Sequence, residues 1–215
     1  MSLLQVHELG VQRKDRWVFR NLSFELAGGE ALAITGPSGA GKTTLLWTIL
    51  GLLEPTEGEV RLQGEPWSVL TEAQRRPRRN LIQAMFQDPL ASLPPHRTGW
   101  EILEEPLVIH QQGDGATRKE AVRAMAARVK FPEACLAQRP AQWSGGLAQR
   151  LSLARALMLH PKIVALDEPL SALDPTLASH LLELLLELKA EGLALLMVTH
   201  NPKAATRLCD RTLQL

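Results

Sequence analysis

The chain has 215 residues, 45% of them hydrophobic, and a formal net charge of +1. That length suits one domain with a sizeable core. The near-neutral balance argues against a strongly basic nucleic-acid binder, and no segment reaches the roughly 20 apolar residues that a membrane crossing needs.

The start, Met1-Ser2-Leu3-Leu4-Gln5, lacks a basic stretch followed by a long apolar run, so no signal peptide is expected. Leu3 to Ala27 reads as short strands with a polar turn around Arg13 to Arg16. Ala27-Gly28-Gly29 is a turn, and Ala31 to Thr35 a buried strand. A helix is expected from Lys42 to about Gly51, a strand over Glu59–Leu62, and another over Gln83–Phe86 that ends at Gln87. Between them, Arg75-Arg76-Pro77-Arg78-Arg79 is the densest basic run and reads as a solvated loop or a subdomain face.

From Asp88 to about Gln142 the character changes. Pro89, Pro94 and Pro95 break the chain, and helices follow near Trp100–Val108 and Arg118–Lys130, separated by Gly113-Asp114-Gly115. Ser144–Leu159 repeats apolar residues at helical spacing. Strand and helix then alternate: Ile163–Leu166, Thr176–Ala190, Ala194–Val198 and Pro202–Leu208, with a last core strand near Leu215. Such alternation predicts a parallel sheet with crossover helices. The leucine-rich part of the Thr176 helix is interrupted by His180, Glu183 and Glu187, as an amphipathic helix would be. Cys135 and Cys209 fit no metal or redox spacing, which points to a reducing, cytosolic setting.

Several motifs carry chemistry. Gly36-Pro37-Ser38-Gly39-Ala40-Gly41-Lys42-Thr43 fits every fixed position of G-x-x-x-x-G-K-[ST]. Its glycines let backbone amides ring a β-phosphate, and the following helix aims its N-terminal dipole at that charge. Lys42 can reach the β- and γ-phosphates, the Thr43 hydroxyl can ligate Mg²⁺, and Thr44 belongs to the same nucleotide site. Asp167 ends an apolar strand, where an acid can meet Mg²⁺ or simply cap a helix. Glu168 beside such a ligand can act as general base toward water. Ser144-Gly145-Gly146 opens a helix and forms a second anion site. A chain that already has one complete cradle offers the second to another chain's nucleotide.

In order, the phosphate loop, Gln87 in Met-Phe-Gln-Asp-Pro, Trp143-Ser-Gly-Gly-Leu-Ala-Gln-Arg150, Ile163-Val-Ala-Leu-Asp-Glu-Pro169, Ser171-Ala172-Leu173-Asp174 and His200 resemble the motifs of an ATP-binding-cassette (ABC) transporter ATPase. The resemblance covers nearly the whole chain. It implies an α/β P-loop NTPase core with a mostly parallel sheet, an N-terminal antiparallel part and a helical subdomain. One domain would span 1–215, with the core near 1–87 and 156–215 and the helical subdomain near 88–155. By the same resemblance, Asp167 holds Mg²⁺ through water, Glu168 is the catalytic carboxylate, and His200 contacts the γ-phosphate and orients the water. Gln87 is a Mg²⁺ ligand and hinge, Asp174 lies in the loop that crosses the dimer seam, and Ser144, Gly145 and Gly146 touch the partner's γ-phosphate. Cofactors would be ATP and Mg²⁺. Partners would be a second cassette, two permeases and, through them, an extracytoplasmic solute-binding protein, at the cytoplasmic face of the membrane.

Departures from the pattern are Trp143 and Leu147, where the family usually has Leu and Gln. The family's adenine-stacking aromatic aligns with Arg13, with Trp17 nearby; either could meet the base. Gln87-Asp-Pro-Leu-Ala-Ser-Leu-Pro-Pro95, followed by Glu101-Ile-Leu-Glu-Glu-Pro-Leu107, resembles the peptide and nickel importer ATPases. The leading expectation is an importer ATPase. The alternatives are an ATP-gated, weakly hydrolysing subunit and an exporter or phosphonate-pathway cassette. Repair and ribosomal cassettes carry coiled coils or tandem copies, neither of which this sequence has, so no nucleic-acid partner is expected.

Overall fold

The computed structural model describes residues 2–171 and 173–215; Met1 and Ala172, the latter in the Ser171–Asp174 motif, lie outside the described residues. The N-terminal part is one long hairpin, β1 (Ser2–Arg13) and β2 (Arg16–Ala27), in place of the short strands expected. Repeated register shifts along the pair disturb its alternation, which hides its length in the sequence. The hairpin pairs antiparallel with β4 (Glu57–Leu62), and β4 with the short β5 (Glu65–Pro66).

The second sheet has five strands, all parallel, in the order β6-β7-β8-β3-β9. They are β3 (Ala31–Thr35), β6 (Ile82–Met85), β7 (Ile163–Asp167), β8 (Ala194–Val198) and β9 (Arg211–Gln214). Their side chains alternate between two cores. Leu32, Ile34, Ile163, Ala165, Leu196 and Val198 face helix α1 (Lys42–Ile49) and the antiparallel sheet. Ala31, Ala33, Val164, Leu166, Leu195 and Met197 face the other helices.

Those helices start where capping residues allow. The short α3 (Pro89–Ser92) is capped by Asp88. Thr98 and Glu101 form a capping box for α4 (Gly99–Ile109). Asp114 accepts from the Thr117 amide at 2.8 Å and starts α5 (Gly115–Arg128) three residues before the expected Arg118. Ser144 caps α6 (Gly145–Leu157), Asp174 caps α7 (Pro175–Ala190), and Asn201 caps α8 (Pro202–Leu208).

The basic run is in part the solvated face expected, with Arg76, Pro77 and Arg78 exposed. Together with α2 (Glu72–Arg75) it forms a bracket behind α1. Arg75 is buried, with its guanidinium against Gly51. Arg79 pairs with Glu72 and donates to the Leu50 carbonyl at 3.2 Å. Leu50 and Gly51 sit at the end of α1, whose last carbonyls need donors: Arg79 serves Leu50, and Trp67 Nε1 donates to the Ile49 carbonyl at 2.9 Å, while Arg75 donates to the Ser68 carbonyl at 3.4 Å. Among the described residues no helix is long and apolar enough to cross a membrane, and both cysteines are free and half-buried.

Candidate functional site

Ligands of open parallel sheets bind beyond the carboxyl ends of the strands. A pocket of about 390 Å³ lies there. From β3 come Ser38, Gly39, Gly41, Lys42, Thr43 and Thr44; from β6, Gln87; from β7, Asp167 and Glu168; from β8, His200.

The loop's shape depends on glycine. Gly41, which precedes α1, has φ +97°, and a Cβ there would stand 2.5 Å from Val18 Cγ1. The Lys42 ammonium is buried at the loop and donates to the Gly36 and Pro37 carbonyls, each at 2.9 Å. The Ala40 amide closes the turn on the Pro37 carbonyl at 3.2 Å. Gly36, Pro37 and Ala40 thus shape the cradle while the pocket wall is made by their neighbours.

Thr43 Oγ1 donates to Asp167 Oδ2 at 3.3 Å. Burial raises the Asp167 carboxyl above its ordinary value, against the Thr43 hydrogen bond and the Lys42 and His200 charges. Glu168 is raised as well, first by burial, with His200 opposing. Its side chain is 12% exposed, Oε1 has no hydrogen-bond partner among the described residues, and His200 Nε2 lies 3.6 Å away. Its backbone sits at φ +52°, a region costly for a side chain. The Glu168 amide donates to the Val198 carbonyl at 3.0 Å, which fixes the turn to the end of β8. The result is a carboxylate held at a strand end, short of hydrogen bonds and more basic than usual.

Other expected residues stand elsewhere. Ser144, Gly145 and Gly146 do not line this pocket; Ser144 is exposed and its Oγ accepts from the Leu147 amide at 3.3 Å. Asp174 is exposed too and accepts from the Thr176 and Leu177 amides, both at 3.0 Å. The two departures also lie outside the pocket. Trp143 is buried edge-on to Phe131, with ring centroids 5.5 Å apart, and Leu147 packs against the helical core. Of the two base-stacking candidates, Arg13 lines the pocket. Trp17 instead carries Arg20 over its ring at 4.5 Å and abuts Gly10. Sequence reasoning missed Val18 and Val198, which line the pocket, and Gln149, which lies behind Glu168. The close approach required at Gly41 is the only sign of Val18, and it appears only once the hairpin is folded.

Three comparisons bear on this site. A family model described as "ABC transporter" matches residues 19–171. A second, described as an AAA domain, matches only 146–205. The oligopeptide transport ATP-binding protein OppF of Haemophilus influenzae is 38% identical over 98% of the chain and 68% of its own length. The nickel import ATP-binding protein NikE of Escherichia coli is 38% identical over 91% of the chain and 74% of its own. The chain spans between 63% and 74% of the length of the curated relatives it matches. Among solved structures, the cassette MJ0796, seen as a dimer in a post-hydrolysis state with ADP and Pi, superimposes with a TM-score of 0.92 at 30% identity. That match covers 99% of this chain and 94% of MJ0796.

Proposed function

The chain belongs to the ABC transporter ATP-binding family, and on that premise we propose that it hydrolyses ATP as one of two cassettes powering uptake of peptides, nickel or a metal chelate. One observation carries the reading. Lys42, Thr43, Asp167, Glu168 and His200 meet in a single pocket, while Ser144-Gly145-Gly146 is kept out of it on the exposed start of α6. Half of the machinery is assembled, and the other half is presented to a second chain.

Lys42 neutralises the β- and γ-phosphates that the loop amides and the α1 dipole cradle. Glu168 takes a proton from water as its oxygen bonds to the γ-phosphorus. The bond to the β,γ-bridging oxygen breaks, and ADP and phosphate leave. The raised affinity of Glu168 for protons suits a general base. His200 orients the water. The Thr43 hydroxyl, the Asp167 carboxylate and the Gln87 amide are hard oxygen donors that fit Mg²⁺, which supplies charge neutralisation at the phosphates when bound. Ser144, Gly145 and Gly146 meet the partner's γ-phosphate, with Asp174 at the seam.

Two permeases, with a solute-binding protein outside them, complete the machine, and the chain works at the cytoplasmic face. The helical segment near 88–155 passes motion from Gln87 to the permeases. The 38% identity to the oligopeptide and nickel proteins supports import over export. To test it, the tagged Glu168→Gln chain is trapped with ATP and drawn from native membranes. Two permeases and a second cassette are expected beside it. Recovery as a soluble homodimer alone, or with nucleic acid, refutes the importer reading.

A further inference from the structure

Gln149 lies just over one turn into α6, the helix that carries Ser144, Gly145 and Gly146 at its start. It is only 1% exposed, which is costly for an amide unless it is bonded. Its Nε2 donates to the Pro169 carbonyl and, at 3.4 Å, to the Glu168 carbonyl. Its Oε1 has no partner among the described residues. The Glu168 carbonyl also accepts from Ser171, from the amide at 3.2 Å and the hydroxyl at 3.0 Å. The left-handed turn at Glu168 is therefore fixed from β8 on one side and from α6 and the following loop on the other. Gly146 lets α6 come close to that loop, since a Cβ there would stand 3.3 Å from Leu173 Cδ2.

We infer that Gln149 is a positioning residue: it aims the catalytic Glu168 from the helix whose start is offered to the partner's nucleotide. The inference rests on the ATPase reading above.

The test measures steady-state ATP hydrolysis and equilibrium ATP affinity in the full chain. Gln149→Glu keeps the shape but sets an acceptor against two carbonyls; Gln149→Met removes the donors without adding charge. Both are expected to lower kcat about 10- to 100-fold, the scale of a small misplacement of a reacting group. KM and ATP affinity should stay within about twofold. A kcat unchanged in both variants overturns the inference. So does a Gln149→Met chain that loses its fold or its ATP affinity, because the amide would then be structural. A parent chain that binds ATP without turnover refutes the ATPase reading itself, and this inference falls with it.

Discussion

Glu168→Gln should make the protein more heat-stable and nearly inert in one step. The parent carboxylate is 12% exposed, and its Oε1 has no hydrogen bond among the described residues. A buried polar group left unsatisfied costs about 1–3 kcal/mol, and more when it is charged, so the neutral amide removes only that excess. The amide has the same shape and no charge, so the backbone at φ +52° bears the same strain in both chains. The sign follows from linkage. The folded-state value of Glu168 is raised above its ordinary 4.5, so its contribution is intact below that value and is lost as pH rises through the raised one. The gain on substitution is therefore largest at about pH 8 and shrinks toward pH 5. For a chain this long, 1 kcal/mol corresponds to about 2–4 °C. A gain of about 1–2 kcal/mol thus raises Tm by about 2–8 °C at pH 8. Thermal melts of both chains without nucleotide and with chelator, at the two pH values, measure it. Turnover should drop by about 10²–10⁴. A Tm gain equal at both pH values, or a loss at pH 8, would refute the argument that a buried charge is being removed.

Gly41→Ala forces a methyl to 2.5 Å from Val18 at φ +97° and should cost about 1–3 kcal/mol in denaturant melts, with ATP affinity reduced in parallel. Arg13→Ala should weaken equilibrium ATP binding by about 0.5–2 kcal/mol, the scale of a guanidinium over a ring, while Trp17→Ala leaves it unchanged; the reverse pattern would reassign the base site. Ser144→Arg should leave ATP binding by single chains intact yet abolish the ATP-induced dimer in sedimentation, and a dimer that survives it sinks the two-chain sandwich.

What could be read in advance was what is local. The phosphate loop depends on glycines and a lysine at fixed spacing, so Gly36–Thr43 is visible as written. The buried strands Ala31–Thr35 and Ala194–Val198 were legible because both faces are apolar and turns bound them. The start of α5 lies three residues before the expected one because Asp114 caps it from within a Gly-Asp-Gly stretch that reads as a break. Within the basic run, the packing of Arg75 and Arg79 is not legible because their partners include Gly51 and Leu50, far away in sequence. Val18 and Gln149 were invisible for the same reason: one reaches the phosphate loop only when the hairpin folds over it, the other reaches Glu168 only through helix packing.

The parallel sheet also works as a reading frame for the reacting groups. Met85 is paired with Leu166, and Leu166 with Met197, so Gln87, Glu168 and His200 fall two, two and three residues beyond a shared line. A slip of one residue in β7 would carry the carboxylate about 3.3 Å along the strand and turn its neighbours to the opposite core. Substitutions inside these strands that keep size and apolarity are therefore absorbed by packing. A single-residue deletion in Ile163–Leu166 is a frameshift in space, leaving Asp167 and Glu168 present but out of place against Lys42, Gln87 and His200.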